Sequence, residues 1–316
     1  MSSQNTEQGT EQNTENSLDN TYRIKTATRQ ELDEVVTWAA AEGWNPGLQD
    51  AACFYAADPN GFFVGTLAGK PIASISAVKY DETFGFIGFY IVKPAYRGRG
   101  YGLQIWNAGL RYLQGCTVGL DGVLQQQSNY AKSGFGLAHR NIRYEGTCDV
   151  DGLRQTVDPA VAAQLAVRSH PGAKLVPLSS VPFQSVLDYD QALFSSKRPE
   201  FLKAWIETDN HRAVGVLHQQ KLAGYGVLRP CQQGYKIGPL FADSPECAEA
   251  LFLALIAHVE PNRCFYLDVP EINSAAVAIA EKYQMTVVFE TARMYRQMPW
   301  TLPLERIFGI TSFELG

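Results

Sequence analysis

Metal-ligand spacing is missing from this sequence. The six cysteines (Cys53, Cys116, Cys148, Cys231, Cys247 and Cys264) form no CxxC pair, and the five histidines form neither HxH nor HExxH. That leaves reduced thiols and no dedicated metal site as the expectation. No apolar run approaches the roughly 20 residues of a membrane span, so no membrane partner is expected. The first residues lack a basic-then-apolar pattern, and the expected compartment is cytoplasmic. A net charge of −5 gives no basic field, which argues against a nucleic-acid partner. The charged fraction is 19% and the hydrophobic fraction 46%, enough for a core without disulfides. At roughly 150 residues per domain, 316 residues suggest two.

Residues 1–21 are rich in Gln, Asn, Thr and Glu and repeat "TEQ". They cannot bury apolar surface and read as a disordered polar tail. From Tyr22 the pattern becomes regular. "YRIKTA" reads as a strand, and Thr28 followed by Glu31 has capping-box spacing before a helix over Leu32, Val35, Val36, Ala39 and Ala40. "FFVGTLAG", "PIASISAVKY" and "TFGFIGFYIV" read as strands, the last apolar on both faces as a central strand should be. Leu103, Trp106, Leu110 and Leu113 make one helix face. "TVGLDGV", a short helix "QQQSNYAKSGF" and a closing strand "GLAHRNIRYEG" follow. This order predicts an α+β domain over 22–146, with a mixed, mostly antiparallel sheet flanked by helices.

Between the central strand and the next helix lies "VKPAYRGRGYG". Gly98, Gly100 and Gly102 leave amide hydrogens unshielded at a helix N-terminus, where the helix dipole adds positive potential. Such a loop cradles phosphate oxygens. Its spacing fits neither G-x-G-x-x-G nor a P-loop, since no glycine follows at the third step and no Walker lysine is present.

The form R-x-x-G-x-G, here Arg97, Gly100 and Gly102, resembles the acyl-CoA pyrophosphate loop of the GNAT N-acetyltransferase superfamily. The later "YAKSGF" resembles that superfamily too, with Tyr130 four residues before Gly134 and Phe135. The resemblance covers 22–146 in element order. It implies acetyl-CoA as co-substrate. The backbone of Arg97, Gly98, Arg99, Gly100, Tyr101 and Gly102 would hold its pyrophosphate, and Tyr90 and Val92 would pair with the pantetheine as an extra strand. It also places Asn129 near the pantetheine, although the family's common Asn seven residues before the Tyr is replaced by Val123.

Amine attack on a thioester needs positioning, a route for the amine proton and a proton for the leaving thiolate. A Tyr hydroxyl can supply that last proton, which makes Tyr130 the candidate acid. Glu42, Asp50 and Asp121 are carboxylates in segments expected near the cleft, and Trp44 and Asn45 of "EGWNPG" are candidate acceptor-side residues. Arg198 of "SSKRPEF" is a further candidate substrate contact. The expected acceptor is an amine of a small molecule or peptide. A non-catalytic acyl-CoA-binding protein and a scaffold stand as alternatives.

The second half, 174–316, repeats the strand and helix order after a connector over 147–173 and resembles a degenerate GNAT-like domain. Where the phosphate loop should stand it has "ADSPECAEA", with acidic side chains instead. Its following helix is apolar on more than one side. That predicts burial against a neighbouring domain, or against a second copy in a homodimer.

Overall fold

The computed structural model describes residues 21–147, 159–194, 196–297 and 302–316. The polar tail expected over 1–21 lies outside these residues apart from Thr21, as does 148–158 of the connector. The first half runs β1 (Tyr22–Thr26), α1 (Arg29–Ala41), α2 (Asp50–Ala57), β2 (Phe62–Leu67), β3 (Lys70–Lys79), β4 (Phe84–Val92), α3 (Tyr101–Tyr112), β5 (Thr117–Val123), α4 (Gln127–Lys132) and β6 (Gly136–Thr147). Helix α5 (Pro159–Ser169) leads to the second half. That half comprises β7 (Lys174–Pro177), α6 (Phe183–Gln191), α7 (Pro199–Glu207), β8 (Arg212–His218), β9 (Lys221–Pro230), β10 (Tyr235–Ala242), α8 (Pro245–Ile256), β11 (Cys264–Pro270), α9 (Ser274–Lys282), β12 (Thr286–Arg296) and β13 (Ile307–Gly309).

Helix α1 starts as its sequence requires: the Glu31 amide donates to Thr28 Oγ1 (3.2 Å) and the Thr28 amide donates to Glu31 Oε2 (2.9 Å). The apolar helix α8 is buried on nearly every side. Its cover is β8, β9 and β10 on one side and α5 on the other, so the connector helix takes the place expected of a neighbouring domain or subunit.

The strands form one sheet in the order β1-β2-β3-β4-β5-β12-β6-β11-β10-β9-β8-β7, with β13 on β10. The two halves mirror each other about the line between β12 and β6. Only β4–β5 and β10–β11 pair in parallel; the other pairs are antiparallel. The closing strands, however, are exchanged. The sequence predicts that "GLAHRNIRYEG" closes the first half's own sheet, but β6 lies between β11 and β12, and β12 lies beside β5.

Two matching ion pairs hold this exchange in register. Arg293 on β12 stands opposite Asp121 on β5, and Arg143 on β6 stands opposite Asp268 on β11. Arg293 donates to Asp121 through Nε (2.9 Å) and Nη2 (2.6 Å), and Arg143 donates to Asp268 through Nε (2.7 Å) and Nη2 (2.7 Å). All four side chains are buried. A slip of one residue would leave charges unpaired in the interior, which is why the register is specified.

Candidate active site

Strands β4 and β5 pair only from Phe84 to Ile87, opposite Thr117 to Leu120. Beyond Ile87 they part. The register between β3 and β4 shifts there, and Phe89 takes φ 44°. The parting opens a cleft of about 660 Å³ lined by both strands, the glycine loop, α3 and α4. Lys93 donates its amide to the Ile72 carbonyl on β3. Because a strand alternates its backbone polar groups, Tyr90 and Val92 therefore turn theirs toward the gap.

The loop has the form its glycines allow. Gly98 and Gly100 sit at φ 75° and 81°, a region that costs other residues energy. Helix α3 opens on Gly100, which has no side chain to cap it, so the first-turn amides have no capping acceptor of their own. A Cβ at Gly102 would come within 2.8 Å of Tyr90 Oη, so a side chain there would push the Tyr90 ring aside. Arg97 donates from Nε to the Val92 carbonyl (2.8 Å) and pairs through Nη2 with Glu42. The arginine thus staples the loop to β4 and to the end of α1, and the Val92 carbonyl is already engaged. Arg99 lies over the Tyr96 ring at 5.9 Å, and the Tyr101 carbonyl accepts from Tyr22 Oη (3.3 Å).

Tyr130 lines the cleft at 8% exposure, its ring 5.4 Å from that of Trp106. Burial, and then the neighbouring Tyr90, push the phenol above its ordinary range. It therefore stays protonated through neutral pH.

The remaining candidates divide. Glu42, Trp44 and Asp121 line the cleft. Asp121 does not offer a free carboxylate, because Arg293 takes both oxygens and Asn141 Nδ2 donates to Oδ1 (2.7 Å). Burial pushes its carboxyl up, against the opposing pull of Arg293. Glu42 is occupied by Arg97. Asn129 is exposed and is not among the lining residues; it accepts from Lys132 and donates to Gln126 on its own helical turn. Asn45 also stands apart. Its side chain exchanges hydrogen bonds with the Gln233 backbone (3.0 and 2.8 Å) and so docks the α1–α2 loop on the second half. Asp50 is fully buried, accepting from Arg229 and from the Gly47 amide. Arg198 is buried in a pair with Asp190 and is likewise unavailable to a substrate.

Sequence reasoning missed Phe289, Phe313 and Glu314. Phe289 lines the main cleft, and all three line a small annex that adjoins it. Glu314 is the one charged residue in the final stretch "IFGITSFELG". A lone carboxylate in such a run was the available signal. Among the described residues, no group of three or more His, Cys, Asp or Glu is placed to hold a metal ion. None of the described helices is long and apolar enough to cross a membrane.

Residues 27–135 match the acetyltransferase (GNAT) family and residues 186–309 match the acetyltransferase (GNAT) domain, between them more than half of the chain. The chain is 29% identical over 296 residues to the holothin acyltransferase of Pseudoalteromonas sp. (strain SANK 73390), covering 94% of this chain and 95% of that one. Its fold is similar to the crystal structure of a candidate acetyltransferase from Pyrococcus horikoshii, with a TM-score of 0.73 at 22% identity over 93% of this chain and 96% of that one. It is also similar to a tandem GNAT protein from the clavulanic acid biosynthesis pathway, with a TM-score of 0.57 at 14% identity over 89% and 100% of the two chains. Two GNAT domains in one chain, each resting on a strand lent by the other, make this protein a tandem member of the GNAT acetyltransferase superfamily.

Proposed function

We propose that the protein is an acetyl-CoA-dependent N-acetyltransferase acting on the amine of a small molecule, with one site per chain and Tyr130 as general acid. One observation carries the reading: an uncapped, glycine-opened helix N-terminus faces the same cleft as a buried tyrosine, between strands that part. The amides from Arg97 to Gly102 would hold the pyrophosphate. The gap-facing backbone of Tyr90 would receive the pantetheine, with Val92 offering its amide only. Tyr130 holds the proton that the departing sulfur needs. Burial disfavours a thiolate as it disfavours a phenolate, so the transfer stays matched inside the cleft. The similarity to an acyltransferase named for holothin favours a small-molecule acceptor over a peptide. The interior of the cell, where acetyl-CoA is made, is the setting this reading implies.

The test is Tyr130→Phe, with turnover of acetyl-CoA against a mixed amine panel. General-acid help is worth roughly 10²–10⁴-fold, so kcat should fall by about 10²-fold or more while acetyl-CoA binding is kept. Wild-type turnover in this variant would return Tyr130 to a packing role.

A further inference from the structure

The annex beside the cleft has about 30 Å³ and is lined by Trp44, Asp121, Val123, Phe289, Thr291, Phe313 and Glu314. Trp44, Asp121, Val123 and Phe289 line the main cleft as well, so the two spaces adjoin. The volume suits a group about the size of a water molecule and no more. Its walls are three aromatic rings and two carboxylates, one of which, Asp121, is spent on Arg293.

Glu314 is different. It is 3% exposed, and its Oε2 has no hydrogen-bond partner. The cations around it, Lys236 first among them, attract it by charge but place their hydrogen bonds elsewhere. Arg143 donates to Asp268 and, through Nη1, to the Trp44 carbonyl (3.0 Å); Arg229 donates to Asp50; Lys236 donates to the Trp44 carbonyl (3.1 Å). A buried carboxylate oxygen left without a donor is costly, and natural structures rarely keep one without use. Its position is also fixed with care. Tyr80 Oη donates to the Leu315 carbonyl (2.8 Å), the Leu315 amide donates to Ser312 Oγ (3.1 Å) and Arg198 donates to Thr311 Oγ1 (2.9 Å). A side chain at Gly88, on the bulged part of β4, would collide with the Glu314 backbone carbonyl.

We infer that Glu314 receives the acceptor's ammonium group and takes its proton, and that the acceptor is a cationic primary amine on a flat apolar body. This deepens the reading above and rests on it. The nitrogen sits where annex and cleft meet, one N–H turned into the annex toward Glu314 and its reacting side left facing the cleft. The body lies in the cleft against Trp44 and Phe289, and aromatic faces favour a cation beside them. The acceptor nitrogen gives one proton to the Glu314 carboxylate and so regains its lone pair. It then forms a bond to the thioester carbonyl carbon as the carbon–sulfur bond breaks. The sulfur takes the Tyr130 proton, and the nitrogen's second proton returns to Tyr130 through cleft water. Glu314 finally releases its proton to solvent. One amide, one thiol and one proton result.

The experiment uses the full chain, wild type and Glu314→Gln, with 2-phenylethylamine and 2-phenylethanol as probes in the presence of CoA. Calorimetry should show the amine binding the wild type, at least tenfold weaker binding to Glu314→Gln, and no binding of the alcohol to either. Acetyl-CoA affinity should stay within about twofold, and turnover of the amine should fall by 10²-fold or more. The variant gives up the attraction of Lys236, so its fold is checked separately by circular dichroism and by its kept acetyl-CoA affinity. Equal amine binding and turnover in the variant, amine and alcohol binding the wild type alike, or no binding of the amine to the wild type would each overturn the assignment. If the wild type binds the amine through Glu314 yet never consumes acetyl-CoA, the acetyl-transfer reading fails and the amine site stands.

Discussion

The slot between β4 and β5 in the first half has an exact counterpart position between β10 and β11 in the second, and the chain treats the two in opposite ways. In the first, the strands part and the gap stays open to the glycine loop. In the second, β13 lies along the far part of β10, pairing Gly309 with Leu240 and Ile307 with Phe241. A piece of the protein's own backbone thus occupies the place an extended ligand would take. The helix starts differ in the same sense. Helix α3 begins on uncapped Gly100, whereas α8 begins on Ser244, whose hydroxyl accepts from the Cys247 amide (3.2 Å). Asp243 beside it accepts from Arg306 and Tyr189. One helix end has no capping side chain; the other is satisfied from within. What the halves share is therefore the scaffold, and what they do not share marks the candidate site.

The largest expected effect tests what is shared. If the two Arg–Asp pairs lock the strand exchange, Arg293→Met and Arg143→Met should each destabilise the chain by about 3–5 kcal/mol in denaturant titrations. Each change leaves an unpaired buried carboxylate. Adding Asp121→Asn to Arg293→Met should restore much of that loss. If Asp121 were instead a base needed only for chemistry, Arg293→Met would spare stability, and the comparison between the halves would break.

Next comes the cradle. Gly100→Asp sets a carboxylate at the mouth of α3, where the loop's positive potential should meet phosphate. Acetyl-CoA binding should weaken at least 100-fold, measured by calorimetry against a wild-type stoichiometry of one per chain. Two equivalent sites per chain would remove the asymmetry altogether. The smallest effect belongs to the cap on the other side. Ser244→Ala should cost about 1 kcal/mol of stability, as an N-cap loss does, and leave acetyl-CoA binding unchanged. A change in affinity there would mean that α8 takes part in ligand binding after all.

Much of the first site was legible because its signals are local. Gly98, Gly100 and Gly102 stand within five residues, and Tyr130 lies four residues before its glycine, so a short window carries each motif. The strand exchange was not legible by that route. Strands β6 and β12 are of nearly equal length, 12 and 11 residues, and nothing in a window of ten residues says which one goes beside β5. The clue lay in comparing the repeats: "GLDGV" and "YLDVP" each carry an aspartate, and "NIRY" and "TARM" each carry an arginine. An Asp–Arg set kept in the half without a phosphate loop points to structure rather than chemistry. Helix α6 is hard to see in the sequence, because Asp188 and Asp190 break its apolar pattern. Asp190 is buried there only because Arg198 and Tyr225 pair with it. Glu314 was missed because its meaning depends on walls built from Trp44, β5 and β12, which no short window around it contains.

The exchanged closing strands also bear on how the chain is made. A ribosome releases β5 long before β12, which begins only at Thr286. At about 5–20 residues per second, the wait is on the order of ten to thirty seconds. Through that interval the growing chain carries an open sheet edge at β5, next to the cleft, and a β6 with neither of its final neighbours. Such edges invite pairing with other chains. The first half to emerge is therefore the last to be sealed, and the nascent protein has its greatest need of a chaperone while the half destined to hold the active cleft is already outside the ribosome.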